Sequence, residues 1–186
     1  MILPVVAFGD PVLRKVAKDV DPDFPNLKEL IQNMWETMYN AHGVGIAAPQ
    51  IGKALRLFVI DATPFAEDED FTEEERAQLK DFKKVFINPK LVSEEGEEWA
   101  FEEGCLSIPG VYLEVTRPDE IEISYKNEMG KPCKLKATGL LSRAIQHEMD
   151  HLNGVMFVDR VNNNIALNEE LKKRGFAVGA VKPVKK

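Results

Sequence analysis

Cysteines, long apolar runs and basic residues are all scarce in this chain, and each scarcity excludes a class of protein. Two cysteines in 186 residues are too few for a disulfide framework, so Cys105 and Cys133 are expected to be thiols, one of which could bind a metal. No apolar run reaches the length of a membrane span, so we expect no membrane insertion. The N-terminal residues lack the pattern of a signal peptide, which favours the cytoplasm.

Acidic residues outnumber basic ones, and the net charge is −7. This balance argues against DNA binding, which needs a basic face to displace counterions. The charge is unevenly distributed, because Glu67 to Glu75 is acidic whereas the tail at 172–186 carries only basic charges. The tail is interpreted either as a solvated segment or as a contact for ribosomal RNA.

Hydrophobic periodicity predicts three helices and several short strands. The helices are expected at 25–42, 139–153 and 164–174, and the strands at 55–61, 85–88, 97–101, 111–116, 120–125 and 133–137. No repeat or linker separates these elements, so we expect one domain over residues 1–186. The predicted class is α+β, with short antiparallel or mixed β-sheets packed around a central helix.

The acidic segment at 62–84 interrupts this pattern. Thr72 and Glu75 form a capping box, which predicts a short helix. Because most of its residues are charged, we interpret the segment as a solvated surface insertion.

The 139–153 helix carries the sequence His147-Glu148-Met149-Asp150-His151, an H-E-x-x-H motif. Residues four apart share a helix face, so both imidazoles can reach one metal ion, with Glu148 beside it to accept a proton from water. The motif shares its face with apolar residues, while the opposite side holds Ser142, Arg143, Gln146, Met149, Asp150 and Asn153. Buried imidazoles and carboxylates are costly unless a partner such as a metal compensates them. The alternative is a surface helix with scattered polar groups.

A metal site of this kind needs a third protein ligand. Glu102, Glu103 and Cys105 are all candidates, and residue chemistry alone leaves the choice open. Cys133 lies in an alternating strand, so core packing is expected there.

The stretch from Gly43 to Gln50 is a loop of small residues without the lysine or the glycine pattern of a phosphate-binding loop. Its glycines permit close backbone approach and Gln50 offers an amide donor. An ordinary connection between helix and strand explains the composition equally well.

Three segments together resemble the peptide deformylase family. Gly43 to Gln50 is similar to its G-x-G-x-A-A-x-Q motif, Glu103 to Ser107 to its E-G-C-L-S motif, and Gln146 to His151 to its Q-H-E-x-D-H motif. The opening residues Gly9 to Arg14 are also typical of the family, and the resemblance covers roughly residues 2 to 175.

The resemblance implies a site and a reaction. It implies that Cys105, His147 and His151 bind one divalent metal, usually ferrous iron, with zinc, nickel or cobalt as substitutes. Glu148 is then the general acid/base for a metal-activated water, and Gln50 with the backbone N–H of Leu106 stabilises the oxyanion. The implied reaction removes the formyl group from the N-terminal methionine of newly made proteins and releases formate.

The resemblance also implies how substrate binds. The expected contacts are Val44, Gly45, Glu103 and Gly104, with the formylmethionyl peptide pairing as an added strand at Gly45. We expect a monomer that acts on nascent chains, and the basic tail could hold it at the ribosome.

Two other functions fit the H-E-x-x-H helix. A zinc endopeptidase would take its third ligand from a distant acidic residue or histidine and would cut internal peptide bonds. A metal-stabilised binding protein without enzymatic activity would not depend on Glu148.

Overall fold

The structure is a computed structural model that describes residues 1–184. Within this range the α-helices are α1 (Leu27–Asn40), α2 (Glu73–Leu79), α3 (Gly139–Leu152) and α4 (Asn164–Lys173). The strands are β1 (Gly45–Ala47), β2 (Leu57–Asp61), β3 (Lys83–Cys105), β4 (Ile108–Lys126) and β5 (Pro132–Ala137). None of the helices in the described range has the length and apolar character to span a membrane.

The five strands form one antiparallel sheet in the order β1-β2-β3-β4-β5. The predicted α+β class is therefore confirmed. Within residues 1–184, strand β1 lies at one edge of the sheet and pairs with β2 alone. The sequence had predicted an irregular loop there, so the short strand was missed.

Strands β3 and β4 form one long hairpin in place of the four short strands predicted. Pro89, Gly96 and Pro118 lie within the paired strands, and the ladder continues past them through register shifts. Such bulges let a strand bend without ending. At the closed end of the hairpin Cys105 pairs with Ile108, and Leu106 and Ser107 make the turn.

Helix α3 lies in the middle of the molecule and is buried on nearly every side. Leu141, Ile145 and Leu152 pack with β2 and β4 residues in the core. The opposite side was expected to be polar, and it is, but it is not solvated: Arg143 is 3 % exposed and Asp150 is 8 % exposed. These charges are buried in ion pairs with the hairpin and with Arg160.

The segment at 62–84 contains the predicted helix, since α2 begins at the Thr72–Glu75 capping box. The interpretation as a solvated insertion is wrong for its apolar residues. Leu79 and Phe82 are buried in the core, and Phe65 and Phe71 pack against that core. All the acidic residues of the segment are exposed, so an amphipathic cover lies over the sheet.

The chain beyond α4 folds back onto the N-terminal region. Arg14 forms a two-point ion pair with Asp159 at 2.5 and 2.9 Å, and its guanidinium also donates to the Ala180 carbonyl at 2.7 Å. The Asp159 carboxylate accepts the Lys182 N–H, and the Asp159 backbone carbonyl accepts the Val184 N–H. The basic tail is therefore attached up to Val184; its last two lysines, at 185 and 186, lie outside the described residues.

Candidate metal centre and active site

Three of the predicted ligands meet where the hairpin turn contacts α3. Ligand atoms of Cys105, His147 and His151 all lie within 4.8 Å of one another. Cys105 Sγ is 3.4 Å from His151 Nε2. The helix supplies both imidazoles from consecutive turns, and the end of β3 supplies the thiol.

The other residues considered as a third ligand, together with the second cysteine, have different surroundings. Glu103 contacts His147 from behind, because its Oε1 lies 2.9 Å from His147 Nδ1. Glu102 is exposed at the rim of the neighbouring cavity. Cys133 lies on β5, where its Sγ donates to the Lys131 carbonyl at 3.4 Å and its side chain packs against the core.

Glu103 holds the His147 ring in one orientation. Burial alone would raise the pKa of Glu103, but hydrogen bonds from His147 and Arg117 outweigh burial and hold this pKa far below its usual range. A permanently charged carboxylate at Nδ1 leaves His147 Nε2 free to face the thiol. Histidine ligands in metal sites are commonly oriented by such a carboxylate.

His151 is almost completely buried, with 1 % of its surface exposed. Burial lowers the pKa of His151 well below its usual value, since a charged imidazole would lose its hydration. The ring is therefore neutral at pH 7, which is the form that binds a metal ion.

Glu148 is buried beside Cys105, His147 and His151 and also lines the adjacent cavity. Burial raises the pKa of Glu148 to about 7, and its Oε2 has no hydrogen-bond partner within residues 1–184. A Cβ at Gly45 would lie 3.0 Å from Glu148 Oε1, so only glycine fits comfortably against the carboxylate. A carboxyl group with a pKa near neutrality is suited to accept and return a proton.

Gln50 is oriented by its own backbone turn. Its Oε1 accepts the Ala47 N–H at 2.9 Å, so the amide nitrogen points to the other side. There it lies 3.5 Å from Cys105 Sγ and 3.2 Å from Ser107 Oγ. A donor fixed beside the thiol can stabilise negative charge that develops on a substrate oxygen.

A cavity of about 560 Å³ opens onto this cluster. The predicted substrate contacts all line it: Val44, Gly45, Glu103 and Gly104. Its apolar wall includes Phe101, Leu140 and Ala144, together with Phe65 and Leu79 from the 62–84 segment. Edge strand β1 also borders the cavity, so an extended peptide could pair with it there.

Sequence reasoning missed the charged network behind the ligands. Arg117 donates to both oxygens of Glu103 at 2.7 and 2.9 Å and to Asp150 at 2.9 Å. Arg160 binds the same Asp150 carboxylate, and Arg143 donates to Glu103 at 2.6 Å. These partners are far apart in the sequence, so no local pattern predicts the pairing.

The donor set fits a transition-metal ion. One thiolate and two imidazoles suit zinc, iron, cobalt or nickel, and three protein ligands leave a position for water or substrate. The buried Glu148 Oε2, which has no hydrogen-bond partner among the described residues, suits a water molecule at that position.

Comparisons with known proteins all match this chain to peptide deformylases. The sequence model of the polypeptide deformylase family matches residues 2–166. The chain is 53 % identical over 174 residues to a peptide deformylase of Christiangramia forsetii, covering 94 % of this chain and 85 % of that protein. It is 55 % identical over 174 residues to one of Flavobacterium johnsoniae, with the same coverages.

Solved structures give the same result. The crystal structure of a peptide deformylase from Synechococcus elongatus in complex with actinonin has a TM-score of 0.85 and 50 % sequence identity, covering 98 % of this chain and 91 % of that one. The peptide deformylase from Thermotoga maritima has a TM-score of 0.74 and 38 % identity, covering 87 % and 99 % of the two chains.

Proposed function

The chain belongs to the polypeptide deformylase family, and from this membership and the site geometry we propose which residues carry out the reaction. The protein is a hydrolase that removes the formyl group from the N-terminal methionine of newly synthesised proteins. Family membership decides against the zinc endopeptidase and the non-enzymatic binding protein.

We propose that Cys105, His147 and His151 hold one divalent metal ion. The observation that carries this assignment is their convergence within 4.8 Å beside the cavity. When bound, the metal supplies Lewis acidity that lowers the pKa of a water molecule and polarises the formyl oxygen.

Glu148 is the proposed general acid/base. Its carboxylate accepts a proton as water attacks the formyl carbon, and returns it to the methionine nitrogen as the C–N bond breaks. Its burial beside the ligands and its raised pKa of about 7 support both roles. The products are formate and a peptide with a free amino terminus.

Two donors are proposed for the oxyanion, the Gln50 amide and the backbone N–H of Leu106. The Gln50 hydrogen bond to Ala47 supports this role, because it fixes the amide nitrogen toward Cys105 before substrate arrives. Preorganised donors stabilise a transition state without reorganisation during the reaction. Gly45 on edge strand β1 is proposed to pair with the peptide backbone, with Val44, Glu103 and Gly104 as further contacts.

The test is formate release from formyl-Met-Ala under anaerobic conditions, with metal analysis of the same samples. Glu148→Gln is expected to retain the metal, because all three ligands remain, and to lose at least about 10²-fold in turnover. Near-normal turnover at full metal content would remove Glu148 from the mechanism.

Further proposals concern the metal, the assembly and the location. We propose ferrous iron as the native metal, because the thiolate and imidazole donors accept it and the family resemblance implies it. We also propose a monomer that consists of a single domain, and the attachment of the C-terminal segment to Arg14 supports the single domain. A cytoplasmic location follows from its nascent-chain substrate, and contact with the ribosome through the tail at 172–186 is the last proposal.

A further inference from the structure

Arg143 lies on α3 one turn before His147 and is 3 % exposed. A buried guanidinium needs compensation by charge and hydrogen bonds. Its Nη1 donates to Glu103 Oε2 at 2.6 Å and to the Val115 carbonyl at 2.9 Å. Its Nη2 donates to the Trp99 carbonyl at 2.7 Å. One side chain of α3 therefore binds both strands of the hairpin.

The same guanidinium packs on two aromatic rings of β3. Its central carbon lies 4.4 Å from the ring centre of Trp99 and 5.8 Å from that of Phe101. The two rings also contact each other, with centres 5.5 Å apart. Phe101 lines the cavity beside the metal ligands, so Arg143 supports part of the cavity wall.

Glu103 is the second point of contact with the site. Its Oε2 binds Arg143 while its Oε1 binds His147 Nδ1. Arg143 thus reaches the metal ligand through one carboxylate, and the cavity wall through Phe101, whose ring contacts Trp99. Arg117 shares the contact with Glu103, but its hydrogen bonds lead to Asp150 instead of the aromatic rings.

We propose that Arg143 is a positioning residue that holds the Trp99–Phe101 wall against α3 and, through Glu103, fixes the orientation of His147. Substrate binding and metal retention then depend on one side chain that itself lines the cavity but is neither a proposed metal ligand nor a proposed substrate contact. This inference rests on the proposed assignment of His147 as a ligand.

Replacing Arg143 by lysine or by glutamine separates its effect on the aromatic wall from its effect on His147. The planar guanidinium can stack on an aromatic ring while it donates along its edge, whereas an ammonium group is a point charge without that plane. Arg143→Lys therefore keeps a cation for Glu103 but loses the support of the wall. Arg143→Gln removes the cation as well.

The experiment measures KM, kcat and metal retention against a chelator for wild type, Arg143→Lys, Arg143→Gln, Phe101→Leu and the Arg143→Lys/Phe101→Leu double variant. Arg143→Lys is expected to raise KM for a formyl-Met peptide about fivefold, the scale of a cation–π contact with partly exposed rings, with kcat and metal retention close to wild type. In the double variant the KM effects should combine to less than their product, because both act on one wall. Arg143→Gln is expected to lose metal about tenfold faster or more, as for other groups that orient ligands.

Arg56→Lys is the matched control. Arg56 donates to the Leu152 carbonyl of α3 at 3.4 Å and to the Pro89 carbonyl of β3 at 3.4 Å, so it joins the same two elements away from the cavity. An equal rise in KM in this control would mean that any loosening of α3 suffices, and would overturn the proposal. Three other outcomes would also overturn the proposal. They are an unchanged KM in Arg143→Lys, KM effects of Arg143→Lys and Phe101→Leu that multiply fully in the double variant, and wild-type metal retention in Arg143→Gln.

Failure of a variant to fold and failure of the ligand assignment can both be distinguished from failure of the Arg143 proposal. If Arg143→Gln does not yield folded protein, the Arg143→Lys and Phe101→Leu pair still decides the claim about the wall. Failure of the proposed ligand and acid/base assignments would be detected separately, by metal content and by Glu148→Gln in an otherwise unchanged protein.

Discussion

The two thiols of this chain have different surroundings and should respond differently to the same substitution. Cys105→Ala is expected to lose metal and activity together, because it removes one of the three proposed ligands. Cys133→Ala is expected to keep both and to cost about 1 kcal/mol of stability or less, as for many small packing changes. Metal content and formate release measured on the same preparations check this. Loss of metal from the Cys133 variant alone would reverse the assignment.

The oxidisable thiol of Cys105 also predicts that oxygen inactivates the enzyme. A thiolate and ferrous iron are both oxidisable, so the iron-loaded enzyme should lose activity in air through oxidation of the iron and of Cys105. The nickel-loaded enzyme should be protected, and the zinc-loaded enzyme should be stable but slower. Activity is followed against time in air for iron, nickel and zinc forms of one metal-free preparation. Equal decay of all three, or a zinc form that is the most active, would argue against iron as the working metal.

At the scale of single residues, the sequence predicted the groups that face the cavity but not those that hold them. The i, i+4 spacing of His147 and His151 places both on one helix face, and the structure brings Cys105 to them. Residue chemistry had left Glu102, Glu103 and Cys105 open, and only the family motif favoured the thiol. Arg143 could not be identified, because its partners Glu103 and Trp99 lie 40 and 44 positions away.

Among the elements, the segment at 62–84 shows that a highly charged composition does not exclude burial of the apolar residues within it. Its acidic residues dominate the composition, and they are indeed exposed. Its few apolar residues decide its position, because Leu79 is buried and lines the cavity with Phe65. The capping box at Thr72 was a local signal and was therefore predictable.

Leu79→Ala should affect both stability and substrate binding. Leu79 is 4 % exposed in the core, so truncation is expected to cost about 2–5 kcal/mol and to raise KM through the cavity wall. Thermal unfolding and steady-state kinetics on a formyl-Met peptide measure the two effects. Glu74→Ala, on the exposed face of the same helix, is the control and should change neither. If Leu79→Ala lowers stability but leaves KM unchanged, the segment is only a structural cover.

The hairpin of β3 and β4 shows the limit of turn signals. The separate strands predicted at 85–88 and 97–101 are parts of one strand, because pairing with β4 resumes after each register shift. The gap between them contains bulges and no strand end. Edge strand β1 was missed for the opposite reason, since three residues with two small side chains carry too little periodic signal.

At the scale of the whole molecule, the C-terminal segment is part of the fold and is not a free tail up to Val184. Phe176, Val178 and Val181 pack against a buried apolar cluster that includes Phe8 and Leu13, and the Asp159 carboxylate accepts the Lys182 N–H. Truncation after Leu171 would remove these contacts, so a loss of ribosome binding after truncation would not separate charge from folding. A test of the proposed ribosome contact must change charge and leave the chain intact.

Lys172 and Lys173 are suited to that test, because both are exposed in the last turn of α4 and neither lines the cavity. Replacing both by glutamine should weaken cosedimentation with ribosomes and reduce its salt dependence, since each lost phosphate contact lowers the log–log slope by about 0.7–0.9. Turnover of a short formyl-Met peptide should not change.

The matched control replaces two other exposed lysines, Lys134 and Lys136 on β5, by glutamine. It alters the net charge equally, so a purely global electrostatic effect would weaken ribosome binding in both double variants. Arg174 is left unchanged, because its guanidinium packs over Gly110 at the cavity rim and its loss could alter substrate binding. Equal cosedimentation of wild type and the Lys172/Lys173 variant at every salt concentration would mean that the exposed end of α4 does not contact the ribosome, whatever its charge.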